Sequence, residues 1–348
     1  MKRIVALALM LLLFSAARAE SVPAWQADPM KYNSCADVYR YYDCVFAGDF
    51  VYESQDYYTN KDICDVLLRW EYDHPENVEL LRDWGTSGFD ELFDRGDGLI
   101  FMDDKNSVYH VDYDGQNEEL LFTIPEGNSS KKNCAFLLLV GDRLYYEAKN
   151  DLWYYSFEDQ KTHLLTDGTL AKEMSSLTMN AFYAYGKLYL VVKDYGLYAV
   201  DAFTGEVTTF HHIVPENICT SMVYEDWIYA WLYSDTLLRF DLNGENLTVF
   251  EGYDFFPESV YGDYLWIGSN TGFPEEAPGG FFRIPVEGFG DFSFVREGNE
   301  EYLHVLFMLG ERMFSIAERR PLEYKLIDGK EHEFYIYEIV DPQAAALE

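Results

Sequence analysis

A repeat of about 43 residues, a turn motif that opens each repeat, and abundant aromatics with no convincing amphipathic helix predict an all-β chain. The predicted architecture is a seven-bladed β-propeller of four-stranded antiparallel blades. The turn motif is Gly-Asp or a close variant, followed by an apolar–aromatic strand. It runs Gly48-Asp49-Phe50-Val51-Tyr52, Gly96-Asp97-Gly98-Leu99, Gly141-Asp142-Arg143-Leu144-Tyr145-Tyr146, Gly186-Lys187-Leu188-Tyr189 and Gly262-Asp263-Tyr264-Leu265-Trp266. Glu225-Asp226-Trp227 and Gly310-Glu311-Arg312 are weaker copies. An apolar–aromatic pair follows each copy. Its second residue is Leu68, Tyr109, Trp153, Tyr198, Leu238, Phe282 and, more loosely, Tyr324. The intervals are 41, 44, 45, 40, 44 and 42 residues, a regularity that an ordinary α/β domain does not produce.

Each unit reads as four short strands. One precedes the Gly-Asp turn and one follows it. A third carries the aromatic pair and ends in a hairpin such as Asp112-Tyr113-Asp114-Gly115 or Phe203-Thr204-Gly205. The fourth is the tail, as in Leu247-Thr248-Val249-Phe250. Apolar and polar residues alternate in Tyr198-Ala199-Val200-Asp201 and Leu238-Arg239-Phe240-Asp241, as a strand requires. One such sheet cannot bury both of its faces, whereas a radial array covers each face with the next sheet. Large aromatics fill the wedge that widens outward, which gives the 29 Tyr and 25 Phe a structural cause.

These repeats resemble the tyrosine-rich bacterial propellers related to the low-density-lipoprotein-receptor (YWTD-like) propeller. The resemblance rests on Gly-Asp-x-apolar-Tyr-Tyr, then Leu-Tyr-x-apolar-Asp, then x-Asp-Gly. It is best in the second to fifth copies and lacks the strict YWTD tetrapeptide. It implies a non-catalytic binding module and speaks to fold more than to ligand.

At the N-terminus, Lys2 and Arg3 precede the apolar run from Ile4 to Phe14, and Ala17-Arg18-Ala19 offers a small-x-small cleavage pattern. Residues 1–19 are therefore expected to be a secretory signal peptide, and the protein secreted or periplasmic. Residues 20–342 then form one propeller domain. Residues 343–348 are a tail, and Ala344-Ala345-Ala346-Leu347-Glu348 resembles a cloning scar. No later run is long enough for a membrane span. Loss of Lys2, Arg3 and Arg18 takes the net charge from −35 to −38. Such a chain repels phosphate backbones, which excludes nucleic acid as a partner. Export permits disulfides, and of the five cysteines Cys35 and Cys64 are the expected pair.

Propeller ligands bind at one end of the ring. That end is assigned to the loops between the second and third strands and between consecutive units. Counting four residues back from the aromatic pair gives Lys105, Lys149 and Arg320; in the fourth unit Lys193 is five back, and Arg319 lies beside Arg320. In so acidic a chain this suggests a basic arc for an anionic group, such as a carboxylate of a polysaccharide or peptide. Two long loops add aromatic candidates, Tyr57 and Tyr58 in one and Phe273 in the other.

Catalytic and metal patterns fail. His332-Glu333 is followed by Ile336 where a metalloprotease needs a second His. His211-His212 lacks an evident third ligand, and no phosphate loop or dinucleotide fingerprint occurs. No cofactor or metal is expected. The reading is an exported, monomeric, non-enzymatic module that recognises a protein or glycan at the loop end. One alternative is a glycan-active hydrolase or lyase, which predicts two close carboxylates at the channel mouth, one with a raised pKa. Another is a structural propeller used in envelope assembly.

Overall fold

The computed structural model describes residues 43–58, 63–85, 89–103, 105–125, 137–148, 151–166, 178–192, 196–209, 218–224, 226–232, 236–251, 255–261, 264–269, 280–286, 293–297, 306–309, 312–327 and 330–340. The chain is all-β and folds as a β-propeller with four-stranded antiparallel blades. Among the described residues, six sheets of four strands follow one another in chain order, and a last sheet has three. They span residues 43–85, 89–123, 137–164, 178–209, 218–251, 255–297 and 306–340, and are numbered first to seventh below.

The tyrosine pairs explain how a sheet buries both faces. Neighbouring residues on a strand point to opposite sides. In the third sheet, Tyr146 therefore joins Ile100, Met102 and Val108 of the second sheet. Tyr145, one residue earlier, joins Leu188, Leu190, Tyr198 and Val200 of the fourth. In the fourth sheet, Tyr189 packs the other way, with Ile228, Ala230, Leu238 and Phe240 of the fifth. The first strands approach one another between the first and second, third and fourth, fourth and fifth, and sixth and seventh sheets, which places them toward the centre of the array. The last strand of the seventh sheet, Lys330–Val340, packs on the second and fourth strands of the first, so the first and last described sheets meet.

Hydrogen bonds reinforce these contacts. The Tyr145 hydroxyl donates to the Ala202 carbonyl at 2.8 Å, and Arg143 Nη1 donates to the same oxygen at 3.3 Å. Tyr145→Phe is expected to cost about 1 kcal/mol, because Arg143 still covers the carbonyl. A lowered urea midpoint with an unchanged slope is the check.

One expectation needs correction. The pair centred on Tyr324 does not mark a third strand. It lies in the long second strand of the seventh sheet, Arg312–Ile327, which pairs with Lys330–Val340 through two irregularities. Among the described residues, that sheet has three strands. The proposed signal peptide, Cys35 and the tail lie outside the described residues. Cys64 stands in the strand Ile63–Glu71.

Candidate functional site

Of the predicted basic arc and aromatic loops, Lys105 alone lies in a described loop. Lys105 is exposed in the turn between the strands Leu99–Asp103 and Ser107–Val111. The Asp103 carboxylate organises that turn by accepting the amides of Lys105 at 2.9 Å and Ser107 at 2.7 Å. Lys149, Lys193 and Phe273 lie outside the described residues. Arg319 and Arg320 are not loop residues: they pair with Tyr335 and Phe334 within the long hairpin of the seventh sheet. Tyr57 and Tyr58 are likewise in a strand, Phe50–Tyr58, opposite Cys64 and Ile63.

The recurrent cations of the structure sit near the opposite end of the ring. That end carries the turns between first and second strands and the hairpins between third and fourth. One hydrogen bond joins the two in four sheets: Tyr72 N to Asp49 O (2.9 Å), Phe157 N to Asp142 O (2.9 Å), Ala202 N to Gly186 O (3.0 Å) and Leu242 N to Asp226 O (3.0 Å). Just inside it, the residue after the aromatic pair is Arg69, Arg239 or Arg283. Each guanidinium lies over a ring diagonally across the sheet: Arg69 over Phe50 at 4.7 Å, Arg239 over Trp227 at 4.3 Å, Arg283 over Tyr264 at 4.3 Å. In the third sheet the pair is exchanged, with Arg143 over Tyr154 at 4.5 Å. In the second sheet His110 takes the position. A Cβ added to Gly98 would come within 2.5 Å of its Nε2 and of the Val111 carbonyl oxygen, a backbone atom, so only glycine leaves the room. These pairs combine cation–π attraction with inter-strand packing. The signal was present in the sequence one residue after the aromatic pair rather than four before it.

At this end the fourth sheet differs from its neighbours. Its first turn is Tyr185-Gly186, closed by the pair Ala184 and Lys187, and both residues have positive φ, 50° and 80°. The corresponding two-residue turns in the first and third sheets are Gly48-Asp49 and Gly141-Asp142, with positive φ at the glycine. Tyr185 is 69% exposed, and Phe203 of the adjoining hairpin is 60% exposed. Asp201 shapes that hairpin by accepting the amides of Thr204 at 2.7 Å and Phe203 at 2.9 Å, bonds that hold its carboxyl below the usual range. Arg143 reaches across from the third sheet and lies 5.2 Å from the Phe203 ring.

The remaining notable group is Glu53, on the strand Phe50–Tyr58. Tyr52 of this strand packs toward the second sheet with Leu67, Leu99 and Phe101. Alternation turns Val51, Glu53 and Gln55 the other way, toward the seventh sheet. Glu53 is wholly buried there. Its Oε2 accepts from Trp70 Nε1 at 3.0 Å, and its Oε1 from Gln55 Nε2 at 2.8 Å and from the Tyr337 hydroxyl. Trp70 also touches Phe314 and Tyr337 of the seventh sheet, at ring separations of 5.1 and 5.4 Å. Burial pushes the Glu53 carboxyl up to about 7, against the opposing pull of Tyr337, Gln55 and Trp70. Sequence reading missed this residue, because its face of the strand, Val51, Glu53 and Gln55, mixes apolar and polar residues and does not mark the Glu as buried.

Among the described residues, no group of three or more His, Cys, Asp or Glu is placed to hold a metal ion. No helix among them is long and apolar enough to cross a membrane.

Comparison with solved structures finds similar folds at low identity. The chain resembles YCF48, solved bound to D1 peptide, at 9% identity and a TM-score of 0.54, over 79% of this chain and 90% of that one. It also resembles the extracellular domain of a protein described as a hybrid two-component system of B. thetaiotaomicron, at 10% identity and a TM-score of 0.52. That match covers 81% of this chain but 39% of the other. At such identities the likeness is one of fold alone. No family model matches the chain, and no curated protein matches it at a significant level.

Proposed function

We propose that the chain is an exported, monomeric, non-enzymatic propeller whose seven sheets are the blades of one ring, and that it binds a protein partner at one end of that ring. The observation that carries this reading is the position of Glu53. A glycan hydrolase or lyase on this scaffold would need a raised carboxyl facing substrate at the channel mouth, beside a second carboxylate. Glu53 has the raised pKa, but it is closed off between two sheets and held by three side-chain donors. In this reading it serves the joint between the first and seventh sheets rather than a substrate.

Two further points support the partner class. The YCF48 structure holds a bound peptide on a similar fold. The net charge of −35 favours partners that are neutral or positive over nucleic acid. Export is supported by the apolar run from Ile4 to Phe14 behind Lys2 and Arg3.

The test is affinity capture with the full chain under mild crosslinking, run beside a glycan array. Recovery of one protein, competed away by free chain and matched by no glycan signal, is the expected result. Saturable glycan binding with no protein captured would overturn the reading.

A further inference from the structure

The turn end of the third and fourth sheets joins three features. First, an aromatic side chain occupies a left-handed position. Two-residue turns with positive φ at both residues ordinarily take Asn, Asp or Gly first, because a Cβ is disfavoured there. Tyr185 stands in that place with φ 50°, and the residue is 69% exposed, so burial does not explain it. Second, Phe203 stands on the adjoining turn, tied to the first by the bond from Ala202 N to Gly186 O, and is 60% exposed. Third, Phe203 already has a guanidinium against it, that of Arg143 at 5.2 Å. The turns at this end of the third and fourth sheets also carry exposed carboxylates, Asp142, Glu158 and Glu206.

Exposed aromatic rings bordered by carboxylates are complementary to cationic side chains. The ring face attracts the charge, and the carboxylates attract it from the sides. The long-range field of a chain at −35 steers the same partners toward it. Tyr and Phe on a rigid scaffold also supply contact area at small entropic cost.

We propose that this end of the third and fourth sheets docks an extended basic peptide segment, with Lys or Arg side chains over Tyr185 and Phe203 and their charges answered by Asp142 and Glu206. The proposal rests on the protein-binding reading above and locates its site. It differs from the basic arc expected around Lys105 both in the end of the ring and in the sign of the partner.

The test pans the full chain against a random peptide library and titrates the selected peptides by fluorescence anisotropy at low and high salt. Selected sequences are expected to be rich in Lys and Arg and to weaken with salt. Their affinity should fall about tenfold or more in a variant carrying Tyr185→Asn and Phe203→Ser, in keeping with two cation–π contacts. Tyr185→Asn alone should weaken binding while leaving the melting temperature unchanged or raised, since Asn suits the left-handed position. This single variant carries the test if Phe203→Ser disturbs the Arg143 stack. Equal affinity for parent and variants, or selection of neutral or acidic peptides, would overturn the proposal and leave the protein-binding reading standing. Selection of no peptide at all would overturn both.

Discussion

Glu53→Ala is expected to cost about 3 to 5 kcal/mol, among the largest effects of any single substitution in this chain. The change leaves Trp70 Nε1, Gln55 Nε2 and the Tyr337 hydroxyl without the acceptor they share, in a place water does not reach. It also opens a void where the first and seventh sheets meet. Glu53→Gln separates charge from packing, because an amide can answer the same donors once Gln55 and Tyr337 reorient. The pH dependence has a definite sign. Burial raises the folded carboxyl from 4.5 to about 7. Below the unfolded value it is protonated in both states, and its contribution is complete. As pH rises toward 7 the unfolded chain releases its proton first, so stability falls. Above 7 the loss is complete, about 3 kcal/mol. Urea melts of parent and Glu53→Gln between about pH 4 and pH 8 should therefore draw together or cross, the variant gaining about 3 kcal/mol relative to the parent. Parallel curves would show that Glu53 titrates as it does in water.

The second large effect is expected at Gly205. Its φ of 73° already disfavours any L side chain, at about 1 to 2 kcal/mol. A Cβ there would also stand 2.0 Å from the Leu165 carbonyl oxygen and 2.9 Å from its carbon. Those are backbone atoms, so no rotamer change relieves the clash; the third and fourth sheets must separate. Forced separation of packed elements adds about 1 to 3 kcal/mol. Gly205→Ala should thus lower stability by about 2 to 5 kcal/mol in urea melts. Gly48 is the control. It has a φ of 63°, but nothing lies within 4 Å of its added Cβ, so Gly48→Ala should show only the backbone cost. Similar losses at both positions would mean that the turn at Gly205 yields without moving its neighbour.

Much of the architecture was legible because it repeats. The Gly-Asp turns, the aromatic pairs and the alternation in Tyr145-Tyr146 and Leu188-Tyr189 are dictated locally, and six sheets follow them. The seventh escaped because its long hairpin, Arg312–Ile327 with Lys330–Val340, places an aromatic, Tyr324, at the expected interval but in another strand. Arg319 and Arg320 were misplaced for the same reason. Tyr57 and Tyr58 looked like loop residues because their surroundings are polar, yet pairing with Cys64 and Ile63 continues the sheet through them. Glu53 was invisible as a buried group, since one strand's alternation does not reveal that Trp70 and a residue 284 positions away will supply donors. Tyr185 was hidden by its motif: Gly186-Lys187 reads as another Gly-Asp turn, and only the backbone shows the tyrosine drawn into the left-handed position.

Amide hydrogen exchange on the full chain, with and without a captured protein or selected peptide, tests the location of the partner most directly. Slowed exchange at residues 185–187 and 203–206, with no change in the turn that holds Lys105, is the expected result. Slowing confined to the turn of Lys105, with residues 185–187 and 203–206 unaffected, would contradict it.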